Sequence, residues 1–365
     1  MPRKQGTLRV IGNGETARIL ARSVVTLLAV TVVSLMGFTA AACQAKQPAV
    51  SPLPPGPTLA GPLLEVGGRL IFAKFNELWS LELSTARLEK VVAFSEQSFV
   101  GWPAVSPDGK LVAFSLYRPG RTPQELGGSD LFVMNATGGD RRMVLAHDTP
   151  GSALSEPAWT PDNAGLYFTR RGLDGSARIE RIGLHGTGRI TVVPNAQSPA
   201  VAPDGSRMLY LTTNPKTSSQ ILWTAGLDGS GGKPLVTDQD FTLLGFPRFA
   251  PDAKRVAFVA VGGPTSPAKP ATPSSGKALP GGIFEPSPAY AHGVPWDLWV
   301  INTDGSGLHR LTAMGGDTPV PAWSPDGRWI ALAMEFGVYV IDLSGKPPLL
   351  VADDFTTGGV TWLPR

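Results

Sequence analysis

The chain has 365 residues, 42% of them hydrophobic, with 43 glycines and 35 prolines. That composition excludes a disordered chain and argues against a helical one, pointing to many short strands joined by tight turns. The formal net charge of +3 is unevenly spread: residues 1–42 hold five basic side chains and one acid, leaving 27 basic against 28 acidic residues beyond them. No basic stripe survives in that balance, so a nucleic-acid partner is not expected.

In chain order, the basic side chains Arg3, Lys4, Arg9, Arg18 and Arg22 precede twenty uncharged residues, Ser23–Ala42. A basic segment followed by an apolar stretch is the pattern of an export signal. The small residues Ala40, Ala41 and Ala42 lead directly into Cys43, the chain's single cysteine, so no intrachain disulfide can form. These residues resemble a bacterial lipoprotein signal, although Ala40 stands where leucine is usual. The resemblance implies cleavage before Cys43, lipidation of Cys43, and anchoring outside the cytoplasmic membrane, periplasmic or at the cell surface. An uncleaved transmembrane anchor stays open, because about 20 apolar residues suffice to span a bilayer. Residues 1–42 are thus read as a signal peptide. Residues 43–63, with prolines at 48, 52, 54, 55, 57 and 62, are read as an extended stalk.

From Leu64 the sequence repeats. WPAVSPDGKLVAF from Trp102, EPAWTPDNAGLYF from Glu156, SPAVAPDGSRMLY from Ser198, FPRFAPDAKRVAF from Phe246 and VPAWSPDGRWIAL from Val320 align on one Pro-Asp turn. Proline fixes φ at the second turn position, Asp or Asn tolerates the third, and Gly accepts the fourth. In each copy two more strands follow, separated by a glycine turn, so the unit is a four-strand antiparallel meander. Such a meander buries both faces only by packing on neighbours. The first unit, RLIFAKFNELWSLELSTARLEKVV, lacks a Pro-Asp strand, whereas the last segment, GVTWLPR from Gly359, is a Pro-Asp strand with nothing after it. Together they make one unit, giving six.

These repeats look like the Pro-Asp repeat of TolB-type propellers, related in shape to WD-repeats, over residues 64–365. The resemblance implies an all-β, six-bladed β-propeller closed by pairing the last strand with the first blade, and a monomeric domain. It is specific for fold and weak for function. The separate N-terminal domain of TolB is not recognisable here, so its cell-envelope role is not carried over. The proline of each copy is expected to open the inner strand of a blade, where a missing N–H is tolerated.

In a meander the Pro-Asp and glycine turns share one face, and the irregular loops share the other, the expected recognition face. Two insertions fall there. Leu116–Asp130 carries Arg118 and Arg121; Gly262–Pro295 carries Phe284, Tyr290 and His292, with Trp296 just beyond. Arg248 stands where the other whole units have Ala104, Ala158, Ala200 and Ala322. It is expected near the channel, suited to a carboxylate or phosphate. The repeated Asp108, Asp162, Asp204, Asp252 and Asp326 are turn residues rather than metal ligands. The pairs Asp238/Asp240 and Asp353/Asp354 leave a calcium ion open as an alternative to solvated loop charge. No zinc spacing, nucleophile elbow or phosphate-binding glycine loop is present. The expected function is therefore a non-enzymatic, membrane-tethered scaffold for a protein or small ligand, with no cofactor. The alternatives are a propeller-type hydrolase or lyase acting on carbohydrate or peptide material at the channel mouth, and a sensory or assembly module with an apolar rim.

Overall fold

A computed structural model of the chain describes residues 66–264 and 296–363, except Pro123, Thr318, Phe336, Gly345, Asp354 and Phe355. The apolar leader, Cys43 and the stalk lie outside the described residues. Among those described there are 24 strands and no helix.

The first unit contains β1 (Arg69–Lys74), β2 (Glu77–Glu82) and β3 (Arg87–Ala93); the second, β4 (Phe99–Val105), β5 (Leu111–Arg118), β6 (Gly128–Asn135) and β7 (Arg142–Leu145). The third contains β8 (Ala153–Trp159), β9 (Gly165–Arg171), β10 (Ala177–Gly183) and β11 (Ile190–Pro194). The fourth contains β12 (Ala196–Val201), β13 (Met208–Thr213), β14 (Gln220–Ala225) and β15 (Lys233–Val236). The fifth contains β16 (Phe241–Phe249), β17 (Arg255–Gly262), β18 (Asp297–Asn302) and β19 (His309–Arg310). The sixth contains β20 (Val320–Trp323), β21 (Trp329–Met334), β22 (Gly337–Asp342) and β23 (Leu349–Ala352). The last strand, β24 (Val360–Leu363), returns to the first unit and pairs antiparallel with β1, Arg69 opposite Leu363 and Phe72 opposite Val360. Within every unit the strands pair antiparallel in a four-strand meander. A single parallel bridge, Ser129 to Ala153, joins the second meander to the third.

Packing follows from the two-residue side-chain period of a strand. On β1, Phe72 joins a cluster with Trp329 and Val340 of the sixth unit, while its neighbour Ile71 joins one with Val112 and Phe114 of the second. The same alternation recurs around the molecule. The apolar residue that closes each repeat (Phe72, Phe114, Phe168, Tyr210, Phe258 and Leu332) anchors one of six clusters; five span two consecutive units, and that of Phe72 joins the first unit to the sixth. Phe72, Phe114, Phe168 and Phe258 are among the largest fully buried side chains. Burying each of these rings contributes about 2–3 kcal/mol.

The Pro-Asp turns form as the residues require. Ser106 Oγ donates to Asp108 Oδ1 at 2.7 Å and accepts from the Leu111 N–H at 2.9 Å, and the Gly109 N–H donates to the Ser106 carbonyl at 2.8 Å. Thr160 with Asp162, and Ser324 with Asp326, repeat this. The turns also interlock: the Asp108 N–H donates to Asn163 Oδ1 of the next unit, and Arg255 donates to the Gly327 carbonyl. Where the sequence reads Asp-Gly-Ser, the serine hydroxyl and N–H both donate to the aspartate, as at Asp204, Asp228 and Asp304.

The hydroxyl bond from Ser106 holds the Asp108 carboxyl below its ordinary range, and serine hydroxyls do the same for Asp174, Asp204, Asp228 and Asp304. A carboxyl with a lowered folded pKa contributes stability that is complete above the unfolded value, about 4, and lost as pH falls through the folded one. We therefore expect the urea midpoint to fall steeply below about pH 4. A midpoint unchanged between pH 6 and pH 3 would contradict this.

Candidate functional site

The inner strands are not simple. β4, β8, β12 and β16 each slip register against their partner strands: between Gly101 and Ala104, Ser155 and Ala158, Gln197 and Ala200, and Gly245 and Arg248. In each slip lies a residue in the left-handed region, Trp102 (φ 50°), Glu156 (55°), Ser198 (55°) and Phe246 (48°), immediately before the repeat's proline. Gly359 (φ 97°) holds the equivalent place before β24. These are β-bulges, which leave one residue out of the ladder and re-aim its side chain. The expectation that proline opens each inner strand is corrected for these four strands: β4 begins at Phe99, four residues before Pro103. The missing proline N–H is tolerated because it falls at the bulge, and only β20, opening Val320-Pro321 without a register slip, approaches the simpler picture.

The bulge positions gather a polar group. Glu156 Oε2 accepts from Thr169 Oγ1 at 2.6 Å and from the Ser198 N–H at 3.0 Å, and its Oε1 accepts from Ser198 Oγ at 2.8 Å. Thr169 and Ser198 are buried. The carboxylate is thus clamped by three donors from the third and fourth units.

Arg248 lies two residues beyond the bulge of β16, opposite Ala257. Trp323 holds its backbone by donating from Nε1 to its carbonyl at 3.1 Å, just as Trp159 Nε1 donates to the Ala104 carbonyl at 2.8 Å. Its guanidinium makes one hydrogen bond, from Nη1 to the Pro247 carbonyl at 2.9 Å, and no ion pair with any acid among the described residues. The side chain is half-buried. That burial lowers its pKa; the negative charge of Glu156 acts in the opposite direction.

The other candidates divide. Arg118 is anchored: its Nε donates to Asp130 at 2.5 Å and its Nη2 forms an ion pair with the same carboxylate. Asp130 is fully buried and accepts from the His147 N–H at 2.7 Å, with His147 Nδ1 at 2.6 Å. Asp297, opening β18 as Asp130 lies near the start of β6, likewise accepts from the Met314 N–H at 2.9 Å. This carboxylate is a repeated architectural device that ties down the connection between units. Arg121 is exposed, its N–H bonded to Glu125 Oε2 at 2.9 Å. Trp296 is half-buried against the fifth and sixth units, its backbone paired with Gly316. Phe284, Tyr290 and His292 lie outside the described residues. Of the acid pairs, Asp238 accepts from Asn214 and Thr217. Among the described residues no three His, Cys, Asp or Glu side chains group as metal ligands. An open groove of about 480 Å³ beside Phe94, Phe132 and Arg141 borders the first two units, on a different part of the molecule from Arg248.

Glu156 and Ser198 were not singled out from the sequence. Their signal was the residue before each proline, which runs Trp, Glu, Ser, Phe, Val and is charged only at Glu156.

No protein-family model matches the chain. An uncharacterized protein of Agrobacterium fabrum, Atu1656, is 26% identical over 247 residues, covering 64% of this chain and 69% of that protein. TolB from Acinetobacter baumannii superposes with a TM-score of 0.59 at 14% identity, over 82% of this chain and 67% of its own. A provisionally assigned TolB from Agrobacterium tumefaciens superposes at 0.54 and 15% identity, over 82% and 99%. The fold is a TolB-type β-propeller.

Replacing Asp130 by Ala removes the acceptor of Arg118 and His147 from a buried site, at an expected cost of about 2–4 kcal/mol. Chemical denaturation measures it. A loss below about 0.5 kcal/mol, the size of an ordinary surface substitution, would show that this anchor is dispensable.

Proposed function

We propose that the protein is a non-enzymatic binding scaffold: a six-bladed β-propeller, closed through β24, held outside the cytoplasmic membrane by lipidated Cys43. Closure is supported by the β24–β1 ladder and by the cluster that joins Phe72 to the sixth unit. Tethering rests on the sequence before Cys43 alone.

The observation that carries the binding role is the difference between the two faces. On one face, short turns of repeated chemistry bond within themselves and, at Asp108–Asn163 and Arg255–Gly327, to the turn of the next unit. On the other, the connections differ from unit to unit and carry both insertions. Loops of unequal length on a rigid frame are the usual carriers of recognition. The partner is read as a protein or a small ligand engaging this face and the adjoining channel.

Capture of binding partners by the full chain, with and without residues 262–295, tests the binding role. Loss of a captured partner on deletion is the expected result, and an unchanged set of partners would sink the role given to that loop. The tether is tested separately. Cys43→Ser is expected to move the protein from the membrane fraction to the soluble fraction or to block its processing. Unaltered processing and membrane retention would favour an uncleaved apolar anchor.

A further inference from the structure

We infer that Arg248 is a receptor for a single carboxylate group, contributed by a ligand that enters the channel. This deepens the scaffold reading above and rests on it for the closed ring that makes the channel and for the side from which the ligand enters.

Four observations converge on Arg248. Four of the other repeats place alanine at the same position, Ala104, Ala158, Ala200 and Ala322, so the fold itself does not call for arginine. The side chain is half-buried, and among the described residues its guanidinium has one acceptor, the Pro247 carbonyl. Guanidinium carries five N–H donors in a rigid fork matched to the two oxygens of a carboxylate. A half-buried guanidinium whose donors are mostly unspent by the protein keeps that fork open to an incoming anion. Glu156 does not spend these donors: its carboxylate is held by Ser198 and Thr169, and no hydrogen bond or ion pair joins it to Arg248.

The same clamp decides which anion fits. Glu156 is near enough for its charge to act on Arg248. Any anion that reaches the guanidinium also meets the negative charge of Glu156. A phosphate dianion meets a larger repulsion there than a monovalent carboxylate does. The charge balance therefore selects carboxylate over phosphate. The shared chemistry covers a peptide C-terminus, an acidic side chain and a small organic acid.

The test uses the full chain and four probes at constant ionic strength: acetyl-Gly-Ala with a free C-terminus, its C-terminal amide, acetyl-aspartate amide, and inorganic phosphate. Binding is read by titration calorimetry and by the shift in thermal midpoint. We expect at least one carboxylate probe to bind, with the amide and phosphate at least tenfold weaker. The two carboxylate peptides distinguish a chain terminus from a side chain. Arg248→Ala restores the residue of the other repeats, so the fold is expected to hold, checked by near-ultraviolet circular dichroism. It should weaken carboxylate binding at least tenfold and raise the midpoint of the unliganded protein, and Arg248→Lys should recover binding only in part. Equal binding of acid and amide, preference for phosphate, no carboxylate binding, or unchanged binding by Arg248→Ala each overturns the proposal. Failure of the loop-deletion experiment, by contrast, leaves these results intact and overturns only the role given to residues 262–295.

Discussion

A four-strand meander with apolar side chains on both faces cannot stand in water by itself, and that constraint organises everything else here. Ile71 and Phe72 are consecutive on β1, both essentially fully buried, and they point into different clusters. Each unit must therefore be covered twice. A linear stack would leave one face bare at either end. Returning β24 to the edge of β1 supplies a complete first unit whose outer face meets the sixth. The proposed closure is the solution that leaves no face uncovered, and it needs no polar caps.

The inner strands pack too, through Val100, Leu154, Leu244 and Phe249, and with their ends so held they can carry unusual geometry between. Left-handed backbone at Trp102, Glu156, Ser198 and Phe246 costs of order 1–3 kcal/mol per residue, and it persists because the surrounding ladders over-determine it. What the frame tolerates in backbone it tolerates also in charge. Arg248 sits where alanine would suffice, its carbonyl fixed by Trp323 while its guanidinium is left nearly unpaired.

Much of the frame was legible in the residues. The Pro-Asp turns, the closing Phe, Tyr or Leu of each repeat, and the split first unit all depend on contacts between near neighbours or on a pattern repeated several times. The bulges were not legible, because register slip is a property of two strands, and one strand's residues do not encode it alone. The proline thus looked like the start of a strand when it marks a bulge within one. The Glu156 clamp was missed for a similar reason: Ser198 is 42 residues away, and nothing local announces the pairing. Arg118 was visible as a charge on an insertion, but its capture by Asp130 depends on a neighbouring strand. Arg248 was found from the sequence because a repeat supplies its own comparison, so one departure stands out.

The chain enters the first unit at a definite place. β1 takes the position of a strand that follows a Pro-Asp turn, and Arg69, its first residue, donates to the carbonyl of Ala136 in a glycine turn. Gly67 and Gly68 are bonded to Trp362 and Leu83 on that same side. Val66, Gly67 and Gly68 are thus fixed at the turn face. Because that entry is tied at once to β24 and to the residue after β2, a pull on the chain at Val66 loads the first unit's own ladders before it reaches the irregular loops.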